Sequence, residues 1–362
     1  MNPRPIRQLG LLAVLTFVPL CARPEAVRTL RAQVANASSR AFAVENLLGT
    51  MRVIAGPGDA AVVVATVHSE NGALASAVRL EEVRGDGGVP TLRLRYPATR
   101  RVLRYPRRGH EHHWDGLSLF GGGRIERYDG VRYRVSSHRG TLLYGDVEVQ
   151  VPARAAAATF RENVGLLEAE GISGKLSFRV VSADLRLDRL SGDVEVTGTS
   201  GDTRASRISG TWRSNFSSGD CEMERFDGSS ATLHTSSGDV GARGVVAEQL
   251  TIDTSSGDAH IRDADVEAFE AHASSGDLTF ESAGRRLARF RAKSSSGDVH
   301  LRLAPEASFQ AEADQSSGEM RVRFGDGERR YRRGELVAFR RGAGGADIRV
   351  TTSSGDFTID PR

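Results

Sequence analysis

Cysteine is almost absent: the 362 residues hold two, Cys21 and Cys221. Loss or lipidation of Cys21 at an export site leaves Cys221 without a partner, which excludes a disulfide scaffold. Aromatic residues are scarce, at 6% beside 39% hydrophobic residues and 40 glycines. That balance suits many short strands joined by tight turns. Net charge is only +3, and the basic residues are almost all arginine. Nothing in that balance points to nucleic acid, and no nucleic-acid partner is expected. Neither a G-x-S-x-G elbow nor a G-x-x-x-x-G-K-[ST] loop occurs, so two common catalytic signatures are missing.

The first residues have the character of an export signal. Arg4 and Arg7 precede an apolar run from Leu9 to Leu20, followed by Cys21-Ala22. The run is too short to cross a bilayer and fits a secretory segment cleaved after Ala22, with residues 1–22 as signal peptide. A lipid anchor on Cys21 is the alternative, and Leu20 stands where that signal prefers a small residue. Either way the expected location is the periplasm or cell surface. Residues 23–40, polar and alanine-rich, are expected to form a tether.

What is abundant is one word. Ser-Gly-Asp or a close variant places glycines at 219, 238, 257, 276, 297 and 318, with successive differences of 19, 19, 19, 21 and 21. A period of about 20 residues marks a stacked, quasi-one-dimensional architecture. Glycines at 192, 201, 210, 219 and 228 fall nine apart, which predicts two strands and two turns per coil. Leu250-Thr-Ile252, Leu278-Thr-Phe280 and Val299-His-Leu301 alternate apolar and polar residues, so one face is inside and one in water. No coil buries its apolar side alone, and the stack is the folding unit. The fold expected is all-β, a repetitive parallel β-helix-like solenoid over residues 153–362 with about 18–21 residues per coil. An N-terminal β region, 41–152, precedes it. That region contains strands at Phe42–Val53, Ala61–Val67, Thr91–Tyr96 and Asp146–Pro152. Between them lies a basic, His-rich stretch, about 100–139, expected as an exposed insertion with a hairpin across Asp129-Gly130. From Gly318 to Gly355 no middle turn is visible, and Gly325–Gly334 is expected to make a basic excursion.

The strand Val44-Glu-Asn-Leu-Leu-Gly49-Thr-Met-Arg-Val53, the Val151-Pro152 ending, the Ser-Gly-Asp turns and the glycine-rich approach to Thr352–Asp356 resemble the bacterial putative-adhesin domain family. The resemblance covers Phe42 onward and implies an exported or membrane-tethered envelope β-solenoid, with roles in adhesion or envelope stress. The stretch from Arg100 to Arg139 departs from that pattern.

Few residues carry candidate chemistry. Asp239, Asp258, Asp277 and Asp298 form a row that would lie about 5 Å apart in stacked coils, where calcium would relieve the repulsion. The simpler reading has each aspartate cap its own turn, with Arg262, Arg302 and Arg323 screening the row. His110, His112 and His113 could hold a transition metal; an exposed loop is the plainer reading. His234, His260, His272 and His300 are expected in water, and Cys221 is expected to be a small side chain inside a strand. The basic runs 100–108 and 329–341 carry interleaved Tyr105, Tyr331 and Phe339, an anionic-polymer footprint or a solvated face. No catalytic, cofactor or dedicated metal residue is nominated. The function expected is a non-enzymatic envelope adhesin or scaffold that binds an envelope polymer, surface or protein. A carbohydrate-active β-helix enzyme and a calcium-stabilised repeat are the alternatives.

Overall fold

A computed structural model describes residues 26–106, 124–284, 286–343 and 345–362. The chain opens with β1 (Ala26–Val34), β2 (Ala41–Gly56), β3 (Ala61–Ser69) and a short helix α1 (Gly72–Ala77). The hairpin β4 (Arg79–Arg84) and β5 (Pro90–Arg95) follows, then β6 (Val102–Arg104), β7 (Arg124–Tyr128), β8 (Val131–Ser136) and β9 (Thr141–Pro152). The long strands are β10 (Arg154–Glu170), β11 (Ser173–Asp188), β12 (Ser191–Ser200), β13 (Thr203–Ser218), β14 (Cys221–Ser237), β15 (Val240–Ser256) and β16 (Ala259–Ser275). Shorter pieces complete the stack: β17 (Leu278–Ser282), β18 (Arg289–Ser296), β19 (Val299–Leu303), β20 (Phe309–Ser317) and β21 (Met320–Val322). A hairpin of β22 (Glu328–Arg332) and β23 (Glu335–Arg341) precedes β24 (Ala346–Ser354) and β25 (Phe357–Pro361).

From β10 to β19 each coil pairs in parallel with the one before it, at offsets of 18, 19 and then 21 residues. The protein is an all-β solenoid. Each coil has two arms, because the backbone turns sharply at Ser-Gly-Asp and again half a period later. The second turn opens with a left-handed residue, Arg189, Arg207, Arg225, Gly244 or Asp263. The ladder skips that residue: Ser206 pairs with Glu224 and Ile208 with Phe226, leaving Arg207 out. Alternation then decides the core. Ala231, Leu250, Phe269, Phe290, Ile348 and Ala311 are paired neighbours in successive coils, all buried. Phe269 packs on Phe280 and Phe290 with ring centroids 4.4 and 5.1 Å apart, so these three rings sit where they bury most area.

Three expectations are corrected. Residues 26–34 are not a tether but a strand, paired antiparallel to β3 along its whole length; alternate side chains of Ala26–Val34 gain cover from that neighbour. The boundary at 152 does not separate two units, because β2 pairs with β10 from Ala41 to Ile54 and is itself a coil of the stack. The stretch 100–139 is not a wholly exposed insertion. The hairpin across Asp129-Gly130 forms, with both residues at positive φ, but Leu103, Tyr128, Tyr133 and Val135 are core. Tyr128 Oη donates to the Glu45 and Leu94 carbonyls at 3.1 and 3.0 Å, and Tyr133 Oη to the Tyr96 carbonyl at 2.9 Å. Residues 107–123, with His110, His112 and His113, lie outside the described residues.

Candidate interaction surface

The Ser-Gly-Asp corners stack into one column, and their carboxylates hold the coils to one another. Asp239 N–H donates to Asp220 Oδ1 at 2.9 Å, Asp258 to Asp239, Asp277 to Asp258 and Asp298 to Asp277, each of those three at 2.8 Å. Each aspartate therefore caps the following coil, not its own turn as the sequence suggested. Repulsion along the row is offset by a charge-assisted bond at every step. Arg323 does not screen the row: it reaches Asp360 at 3.2 Å, while Arg321 pairs with the ladder residue Asp356. Among the described residues no group of three or more His, Cys, Asp or Glu is placed to hold a metal ion.

The row ends in an informative way. Asp356 N–H donates to Asp298 Oδ1, and Glu319 N–H to Asp356 Oδ1. Glu319 is thus last in space although Asp356 follows it in sequence, and the one glutamate of the ladder stands where no coil remains to be capped. Asp277→Ala is expected to cost about 1–2 kcal/mol, as loss of a capping carboxylate does, whereas Glu319→Ala stays within about 0.5 kcal/mol. Urea midpoints of the two variants measure the difference. Equal losses would refute the inter-coil role.

Away from the column, a cleft crosses five coils on the arm that follows the Ser-Gly-Asp corner. Its volume is about 590 Å³, and its lining includes Arg52, Glu168, Arg186, Arg204 and Glu222. These five are register partners or neighbours in successive coils, so they form a charged row along the stack. A second row, Glu170, Asp188 and Glu224, runs beside it. Arg186 pairs with Glu168 at 3.2 Å and Arg204 with Glu222 at 3.0 Å. Arg189 and Arg207 rise from the left-handed corner to Glu170 and Asp188. Burial acts to raise the Asp188 carboxyl, but the hydrogen bonds from Arg207 and Ser206 outweigh it and hold the group below its ordinary range. That suits Asp188 as an acceptor and not as a proton donor. Arg52 and Glu224 have no ion-pair partner among the described residues. The cleft was missed in the sequence, although charged residues recurring 18 apart at 168, 186, 204 and 222 were the available signal.

Other nominated side chains depart from expectation: Phe339 of the basic run is core and His234 is half-buried, whereas Tyr331 is exposed. Cys221 is buried in β14, and burial pushes its thiol up to about 12, which makes it an inert filler. His260 is exposed, as expected. His272 and His300 are not simply solvated: His272 Nδ1 lies 3.1 Å from Asp253, and His300 Nε2 lies 2.8 Å from the buried Asp360. Sequence reasoning also passed over a sealed polar group where β2 enters the stack. Asn46 Nδ2 donates to Glu162 at 2.9 Å and to the Gly145 carbonyl at 2.9 Å, and Tyr96 Oη donates to Asn46 Oδ1 at 3.0 Å. Glu162 is completely buried and has no ion-pair partner among the described residues, and burial pushes its carboxyl well above the ordinary range.

The family described as Toastrack DUF4097 matches residues 145–360. The chain belongs to this family. The Toastrack segment begins at Gly145, beside which Gly49 of β2 packs, and ends inside β25. One of its coils comes from outside it, since β2 sits between β9 and β10. No curated protein matches the chain. It is similar to three solved structures, at low identity. A "putative adhesin" from Bacteroides fragilis is 9% identical, with 94% of this chain and 98% of that one covered and a TM-score of 0.36. A "putative cell adhesion protein" from Clostridium sporogenes is 7% identical, with 93% and 100% covered and a TM-score of 0.18. A "putative lipid binding protein" from Parabacteroides distasonis is 9% identical, with 93% and 96% covered and a TM-score of 0.33. At these scores the likeness does not extend to function.

Proposed function

We propose that this Toastrack chain is a non-enzymatic, exported cell-envelope solenoid of the adhesin type, a rigid scaffold that binds an envelope polymer through its cross-coil cleft. The observation that carries the reading is the arrangement of charge. The Ser-Gly-Asp carboxylates are taken up in joining coils, and away from them an open trough of Arg and Glu rows runs along the stack. Such a surface meets an extended ligand at a regular interval of about 4.8 Å, the spacing of paired strands. It needs no cofactor; calcium acting as a structural ion would raise the melting midpoint relative to chelator.

A carbohydrate-active enzyme is the second reading, favoured by Glu168, Glu170 and Asp188 sharing a cleft with Arg186. Two-carboxylate hydrolysis requires one acid with a raised pKa, and the direction at Asp188 is the opposite. Co-sedimentation with peptidoglycan and with acidic polysaccharides tests both. Retention of the parent chain, lost in Arg186→Ala/Arg204→Ala, supports the scaffold. Retention by none of these polymers overturns it, and new reducing ends would establish the enzyme.

A further inference from the structure

The order of coils in space departs from the order in sequence at both ends of the stack. β9 and β10 are separated by Ala153 alone, yet β2 lies between them. At the other end, β24 pairs with β18 on one side and β20 on the other, and β25 with β19 and β21. The coil containing β24 and β25 therefore occupies a gap between two coils that precede it in the chain. Before it arrives, both of those coils present open parallel edges.

We propose that this gap is a strand-acceptor site, filled within one chain by residues 346–361 and equally able to take the same residues of a second copy. All the strand pairing of the segment comes from its two neighbours. Asp347–Ser354 pair with Arg289–Ser296, and Ala346–Ser354 with Phe309–Ser317. Ile348, Val350, Phe357 and Ile359 are buried between apolar partners from both sides, Phe357 between Val299 and Met320. Gly355 is fixed by contact: a Cβ there would lie 2.2 Å from the Gly297 carbonyl oxygen. Asp356 accepts from Glu319 and donates to Asp298, so it supplies both missing steps of the ladder. Arg362 pairs with Glu281 at 2.6 Å and donates its N–H to the Leu303 carbonyl, tying the segment to earlier coils. None of these contacts requires the segment to belong to the same chain.

What favours the intrachain arrangement is the crossing that leads to it. β23 lies on one edge of β20 and β24 on the other, so the chain must round Ser308 between Arg341 and Ala346. The route is tight: Ser308 Oγ donates to the Arg341 carbonyl, and a Cβ on Gly345 would lie 2.0 Å from the Ser308 carbonyl oxygen. A shortened hinge that cannot fold back is the established route to exchange of an element between copies. The inference rests on topology and not on the adhesin reading, so its failure leaves that reading untouched.

The test deletes Gly342 and Ala343 from the full chain. The expected product is a dimer by light scattering with the parent's far-ultraviolet spectrum, because the short crossing can fill only a partner's gap. A folded monomer would overturn the proposal. Should the deletion prevent folding, a specific protease site inserted after Gly342 of the full chain decides. After cleavage and mild denaturant, a labelled peptide of residues 345–362 is expected to incorporate at one per chain. Its Gly355→Val counterpart should bind at least about tenfold more weakly. Equal binding of the two peptides, or none, would overturn the proposal.

Discussion

Gly257→Ala is expected to lower the unfolding free energy by about 3–5 kcal/mol, the sum of left-handed strain and overpacking. Gly257 has φ of 138°, where a side chain is strained, and a Cβ there would lie 2.2 Å from the Gly238 carbonyl oxygen. The neighbouring coil cannot retreat, because Asp258 N–H is bonded to Asp239 on that side and Asp277 N–H to Asp258 on the other. Gly58→Ala provides the contrast, with φ of 87° but nothing within 4 Å of the added atom; its cost is limited to the backbone term of about 1–2 kcal/mol. Denaturant unfolding of both variants measures the difference. Equal losses would mean that conformation alone, and not coil contact, sets the glycine requirement.

Glu162→Gln is expected to stabilise the protein, and increasingly so as pH rises. Burial raises the Glu162 carboxyl well above 4.5, opposed by the Asn46 hydrogen bonds and reinforced by the charge of Asp146. The folded state thus holds this proton more tightly than the unfolded chain does. The group costs nothing below the unfolded value near 4.5. Stability is lost as pH climbs from there toward the folded pKa, with a slope of at most about 1.4 kcal/mol per pH unit. Glutamine keeps an acceptor for Asn46 and has no proton to lose. The melting temperatures of parent and variant should coincide near pH 4 and diverge by pH 8, with the variant higher. A constant offset across that range would show that the carboxyl does not titrate in the fold.

The repeat was legible because its cause is local. A left-handed corner admits glycine with little cost, a turn favours Ser and Asp, and alternation by two marks the inward face. Those preferences act residue by residue, so their period of 19 to 21 and the all-β solenoid could be read from the letters. Cys221 as a buried filler and the hairpin across Asp129-Gly130 were legible on the same grounds. Even the glutamate at 319 carried information, since it replaces the capping residue at the one corner that caps nothing.

Only the tertiary structure decided which coil lies against which. Identical Ser-Ser-Gly-Asp words fit one another in any order, so the sequence could not show that Asp356 enters between Asp298 and Glu319, or that β2 enters between β9 and β10. Nor could it show that residues 26–34 find a strand partner, that the hairpin at 124–136 is anchored by its two buried tyrosines, or that charges 18 apart gather into a cleft. Each of these depends on contacts between residues far apart in the chain, where the outcome is set by which edges remain unpaired and which side chains then share a space. The sequence by itself determined the unit, its corner and its inward face. The folding of the whole determined the order of the units, the closure of both ends and the surface left for a partner.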